Sequence, residues 1–189
     1  MKKAFVLKSA LALALATPLI ASAESQLVTG TGTAAGASAR LDFRIIIPGF
    51  IALRVGPGAV LTNNSTVGAV EFTVSETQVT ADGTINPSSG APVDVALLSN
   101  VGNVAFEASG ADLTAGTDTI PLSRISATVA SGNLAHPTFN GAPLSVAPTS
   151  GRIVNRSGTW NFTYNHQGAT DPVPAGTYST QVTYTASLP

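Results

Sequence analysis

The chain has 189 residues, a formal net charge of −1 and no cysteine. All three lysines lie within the first eight residues, so the chain beyond residue 23 carries six arginines against ten carboxylates, a net charge of −4. A lysine-free, mildly acidic surface argues against nucleic acids and anionic membranes as partners, because both are bound through basic patches. With no disulfides available, the domain must be held together by burial alone.

The first 23 residues have the pattern of a secretory signal peptide. Lys2, Lys3 and Lys8 supply positive charge, the apolar run that follows is too short to span a bilayer, and Ala21-Ser22-Ala23 is a cleavage site of small residues. We therefore expect a mature chain that begins at Glu24, has no membrane span, and is secreted to the periplasm or cell surface of a Gram-negative bacterium.

Residues 24–40 are small and polar, and are predicted to form a flexible or donor-like N-terminal arm. Gly30 and Gly32 do not make a phosphate loop, because no strand precedes them and no helical pattern follows. Alternate residues of the arm continue one face of the strand that follows, which favours an extended conformation. The members of this face that we expect to interact with a partner are Leu27, Thr29, Thr31 and Thr33.

Residues 41–55 form the densest apolar run after the signal, and begin a β-sandwich domain predicted over residues 41–189. The run is interpreted as two strands separated by Pro48-Gly49, where we expect the chain to leave one sheet and enter the other. The apolar residues that alternate along these two strands are Leu41, Phe43, Ile45, Ile47, Ile51, Leu53 and Val55.

Short alternating segments with turn signals between them fill the rest of the chain, and predict an all-β fold of about 9 to 11 antiparallel strands. Residues 93–97 and 104–108 are predicted to pair as a hairpin through the turn at residues 100–103. A bulge is expected at Ser123-Arg124. Residues 131–148 are predicted to be mainly loop.

The C-terminal segments have the strictest period of two, which is typical of antiparallel strands with one face buried. Trp160 alternates in phase with Phe162 and Tyr164, so we interpret it as a core residue and not as a platform for sugars. In the last predicted strand, one apolar face contains Tyr178, Val182 and Tyr184.

No residue set predicts catalysis, a cofactor site or a metal site. The only histidines, His136 and His166, are flanked by loop residues and are interpreted as surface histidines. Their spacing matches no metal motif, and the chain has no Gly-x-Ser-x-Gly nucleophile elbow.

Residues 174–185, with the sequence PAGTYSTQVTYT, resemble the final strand of secreted bacterial surface β-domains. These include fimbrial subunits of the chaperone–usher type, particularly spore-coat-U-like pilins, and WxL-type cell-surface domains. The resemblance implies an immunoglobulin-like sandwich that is displayed on, or assembled at, the cell surface.

The resulting hypothesis is a non-enzymatic structural protein, a fimbrial or pilin-like subunit that assembles by β-strand augmentation. The arm, residues 27–39, would pair with an edge on residues 41–47 or 178–188. Its partners would be copies of itself or other surface subunits, with a periplasmic chaperone as a further possibility. The alternatives are an adhesin-like module that binds carbohydrate through residues 131–148 and 166–176, and a secreted hydrolase that uses its histidines.

Overall fold

The computed structural model of the chain describes residues 24–30, 32 and 36–189. The predicted signal peptide lies outside the described residues. The chain divides into two compact units at Ile47/Pro48: Met1–Ile47 and Pro48–Pro189. All of the regular secondary structure in the described residues belongs to the second unit.

The second unit contains ten strands and one short 3₁₀ turn, Leu122–Arg124. The strands are β1 (Ile51–Val55), β2 (Asp82–Ile85), β3 (Val93–Ser99), β4 (Val104–Gly110), β5 (Leu113–Ala115), β6 (Asp118–Ile120), β7 (Ile125–Gly132), β8 (Leu144–Val146), β9 (Val154–Gln167) and β10 (Val182–Ser187). The all-β class with antiparallel sheets is therefore confirmed, because every pair of these strands runs antiparallel.

The larger sheet has five strands and is organised around β9. On one side of β9 lies β3, which in turn pairs with β1, and on the other side of β9 lies β7. Trp160 near the middle of β9 lies between Val93 of β3 and Val129 of β7. Beyond the end of β3, the last residues of β9 pair with β2. The predicted bulge is displaced: residues 122–124 form the 3₁₀ turn, and the irregularity lies in β7 between Val129 and Ser131.

The smaller sheet has three strands in the order β10-β4-β8, and β5 and β6 form a separate hairpin. This order shows that the predicted hairpin of β3 with β4 is wrong. β3 pairs with β1 and β9, whereas β4 pairs with β10 and β8, so residues 100–103 carry the chain from one sheet to the other. Both strands present apolar faces to the same interior, which is why the sequence pattern alone could not separate the two connections.

One hydrophobic core takes residues from both sheets. Its buried members are Val95, Leu97, Val104, Phe106, Leu134, Val146, Val154, Trp160 and Phe162. Trp160 is 0% exposed, and its indole N–H donates a hydrogen bond of 2.8 Å to the carbonyl of Leu134. The interpretation of Trp160 as a core residue is therefore confirmed.

The first strand predicted from the sequence is not formed. Residues 41–47 contain neither helix nor strand, and their side chains are exposed. The segment after Pro48 does form the expected strand, β1, but Pro48-Gly49 is not a connection between two sheets. The described part of the chain contains no helix with the length and apolar character needed to cross a membrane.

Candidate assembly edge

The last strand of the chain, β10, has one unpaired side. It pairs with β4 from Val182 opposite Gly110 to Ser187 opposite Ala105, and with no other strand in the described residues. Its inward side chains are half-buried and its outward ones are exposed, so the alternation predicted from the sequence is present here. A strand with a free row of N–H and C=O groups is a template for pairing with another chain.

The first strand of the larger sheet, β1, is also an edge, and it lies next to β10. Ile51, Leu53 and Val55 pack against the core but stay only half-buried. The two neighbouring strands belong to different sheets and are not hydrogen-bonded to each other. We call this place, formed by β1 and β10, the open edge.

An aromatic cluster supports the open edge from inside. The ring of Tyr184 on β10 packs against Trp160 and Phe106, with ring centroids 5.5 and 6.2 Å away. Its hydroxyl lies 2.9 Å from Nε2 of His136, which itself lies edge-on to Trp160. Burial raises the pKa of Tyr184, so its hydroxyl stays neutral.

The two histidines are not surface residues, contrary to the sequence interpretation. His136 is half-buried among aromatic rings, and burial lowers its pKa to about 4. His166 is 5% exposed, with Nδ1 3.3 Å from the hydroxyl of Tyr164 and Nε2 3.3 Å from the carbonyl of Val79. His166 continues the period-two face of Trp160 and Tyr164, and that phase was the signal by which its burial could have been predicted.

Only two of the four residues predicted to interact in the N-terminal arm lie within the described residues. Leu27 and Thr29 are exposed, and Thr31 and Thr33 lie outside the described residues. The two ends of the arm are joined: Arg40 forms an ion pair with Glu24, and the Ser38 N–H donates to the side chain of Gln26. The role of Leu27, Thr29, Thr31 and Thr33 in binding a partner remains a prediction.

The residues predicted near the C terminus are placed in two different ways. Val182 and Tyr184 lie on the inward face of β10, at the open edge. Tyr178 precedes the strand, and its hydroxyl donates a hydrogen bond of 2.9 Å to the carbonyl of Pro174. The structure thus brings two of the three residues to one edge, whereas their binding role stays a prediction.

The segment considered for ligand binding, residues 166–176, begins in the last two residues of β9, and its loop, residues 168–176, is fastened by hydrogen bonds and an ion pair. The carboxylate of Asp82 accepts hydrogen bonds from the N–H groups of Ala169 and Thr170, at 2.9 and 3.1 Å, and these bonds lower the pKa of Asp82. Asp171 forms an ion pair with the buried Arg124. These contacts hold the loop against β2 and the 3₁₀ turn.

The other loop considered for ligand binding, residues 131–148, contributes Leu134 to the core. A small cavity of about 230 Å³ lies elsewhere, after β1, and its lining includes Arg54, Asn64 and Thr66. Among the described residues, no group of three histidine, aspartate or glutamate side chains is arranged to hold a metal ion.

Comparisons of the chain with protein-family models, with curated proteins and with solved structures give no match.

Proposed function

We propose that this protein is a secreted structural subunit, fimbrial or pilin-like and not an enzyme, which assembles by β-strand augmentation at the open edge. The observation that carries the proposal is the pair of adjacent strands, β1 and β10, whose inward apolar side chains are only half-buried. A strand added there would pair with the free side of β10 and cover these side chains.

The strand order supports an immunoglobulin-like sandwich that is one strand short. In such a sandwich, the first, second, fifth and fourth strands form one sheet, and the third, sixth and seventh strands form the other. The order β1-β3-β9-β7 matches the first sheet, and β4-β10 matches the third and sixth strands. The seventh strand would occupy the free side of β10, which is where augmentation is proposed.

The pattern of residues 1–23, which is that of a secretory signal peptide, supports a secreted location. A surface subunit would use copies of itself or other subunits as partners. A carbohydrate-binding role is less well supported, because Trp160 is fully buried and the loop at residues 168–176 is fastened by Asp82.

The proposal is tested by blocking the edge with charge. Lysines on the outward face of an edge strand hinder pairing with another chain. We expect the wild-type protein to form oligomers or fibres in size-exclusion chromatography and electron microscopy, and the Thr183→Lys/Thr185→Lys variant to form fewer. Both threonines are exposed, so the fold should be unaffected.

The matched control is Ser126→Lys/Thr128→Lys, which places two lysines on exposed positions of β7, the edge strand on the far side of β9. This control should assemble as the wild type does. A wild-type protein that stays monomeric at about 100 μM, or equal assembly of both variants, would contradict the proposed function.

A further inference from the structure

Residues 41–47 present an unusual amount of exposed apolar surface, and we call them the apolar segment. Its five apolar side chains are between 67% and 86% exposed, with Ile45 at 85% and Ile46 at 75%. Single exposed apolar residues are normal, but a contiguous group marks an interaction site. Among the described residues, the backbone N–H and C=O groups of the apolar segment have no hydrogen-bond partner.

The order of residues in the apolar segment is that of a strand with one buried face. One face has only large apolar side chains, whereas the other has Asp42, Arg44 and Ile46. The apolar face comprises Leu41, Phe43, Ile45 and Ile47. A strand of seven residues is about 23 Å long, which is enough to follow the six residues of β10 over their whole length.

The open edge lacks such a strand. The sheet that contains β10 has three strands, while the sheet that faces it across the core has five. The inner side chains of β1 consequently remain half-buried, and those of β10 show the same partial burial. An added strand with an apolar inward face would give the smaller sheet a fourth strand and cover the inward side chains of both β1 and β10.

We infer that the apolar segment of one copy of this chain adds to the free side of β10 in a second copy. Its apolar face would be turned toward the core between β10 and β1. This inference rests on the proposed function and specifies it: the donor is residues 41–47, which directly precede the body, and the acceptor is the open edge of another copy.

Residues 48–50, which directly follow the apolar segment, are fixed to the unit that contains the strands. The Asn100 side chain accepts a hydrogen bond of 2.8 Å from the Phe50 N–H and donates one of 2.9 Å to the carbonyl of Pro48. A side chain on Gly49 would come within 2.8 Å of Val101, so this residue is closely packed as well.

In the single chain, the described residues 41–47 are exposed and form no strand with β1 or β10. Their apolar face is therefore available to the open edge of a second copy. Each copy would then donate through residues 41–47 and accept at its open edge, and such a head-to-tail contact builds rings or open fibres.

The test compares two neighbouring isoleucines. Ile45 and Ile46 are both exposed, but they lie on opposite faces of the inferred strand. We expect Ile45→Asp in the full chain to weaken self-association at least about 100-fold, because an isoleucine is lost from the interior and a carboxylate replaces it. Ile46→Asp should change it by less than about threefold. Sedimentation velocity over a concentration series measures both.

Both variants should unfold at the wild-type temperature as monomers, since neither side chain is packed, and circular dichroism checks this. An equal loss of self-association in the Ile45→Asp and Ile46→Asp variants would show nonspecific apolar association and would overturn the inference. Assembly that survives Ile45→Asp but is reduced by Thr183→Lys/Thr185→Lys would also overturn it, while the proposed function would stand with a different donor. Absence of wild-type assembly would contradict the proposed function itself.

Cysteine pairs locate the acceptor, because the chain has no native cysteine. Ile46→Cys in one copy should form a disulfide with Thr183→Cys, Thr185→Cys or Ser187→Cys in another, since these outward positions would line one face of the new strand pair. Thr128→Cys on β7 is the control and should form none. A disulfide to position 128 as efficient as those to β10 would contradict the inferred edge.

Discussion

The protonation of His136 provides a test of the core that supports the open edge. Burial among aromatic rings lowers its pKa from 6.5 to about 4, so the folded protein favours the neutral ring. The unfolded chain takes up a proton below about pH 6.5, whereas the folded protein does so only near pH 4. The contribution to stability is therefore complete above pH 6.5 and is lost as the pH falls toward 4.

The size of the effect follows from the pKa difference. At pH 5, the unfolded histidine is almost fully protonated and the folded one mostly neutral, which corresponds to about 2 kcal/mol at most. Because His136 is only half-buried and solvent screens part of the effect, we expect about 1 kcal/mol. Urea unfolding of the wild type at pH 7 and pH 5, followed by circular dichroism, measures this difference.

The control for this measurement is His136→Phe, which keeps an aromatic ring in the cluster but cannot titrate. This variant should lose about 1 to 2 kcal/mol at pH 7, because the Tyr184 hydroxyl loses its partner. Its stability should then fall less than that of the wild type between pH 7 and pH 5. Parallel curves for the two proteins would refute the reasoning, since the remaining titrating groups are the same in both.

Two further substitutions test the packing of the sheets. Trp160→Phe should reduce the free energy of unfolding by about 2 to 3 kcal/mol, because it opens a small cavity and leaves the Leu134 carbonyl without its hydrogen bond. Urea unfolding measures this change. A reduction below about 0.5 kcal/mol would contradict the packing of Trp160 in the core. Gly158→Ala should destabilise the protein by about 2 kcal/mol or more, since the new Cβ would lie 2.1 Å from the Ser131 carbonyl oxygen. At Gly83 a new Cβ would meet open space, so the Gly83→Ala variant should unfold at nearly the wild-type temperature.

The local pattern of the sequence predicted individual strands better than it predicted their partners. The strict alternation after Trp160 correctly indicated a strand with one buried face, and the same held for the inward face of β10. The pairing of β3 with β4 was wrong, because residues 100–103 would suit a hairpin or a crossing between sheets equally well. Pairing depends on the whole interior, and the period of a single strand does not contain that information.

The apolar segment shows a second limit of sequence patterns. Its alternation correctly describes a face that is suited to burial, but the same chain does not bury it: Phe43 is 86% exposed. A pattern specifies which face of a strand favours an apolar neighbour, and it does not specify whether that neighbour belongs to the same molecule. The phase of the arm at residues 24–40 predicts a donor as well, but the larger apolar face lies in residues 41–47.

The burial of the two histidines was missed for different reasons. His166 shares the inward phase of the strand that contains Tyr164, so its position on β9 was predictable from the alternation. His136 follows no strand pattern, and it reaches the core because the loop after β7 also places Leu134 there. No local signal in residues 131–148 indicates that contact.

Amide hydrogen exchange over residues 41–47 tests the central claim most directly. In the assembled wild-type protein, alternate amides of residues 41–47 and the amides on the free side of β10 should exchange at least about 100-fold more slowly than in the monomeric Ile45→Asp variant, because augmentation gives these N–H groups partners. Rapid exchange throughout residues 41–47 in a protein that is demonstrably assembled would contradict the claim.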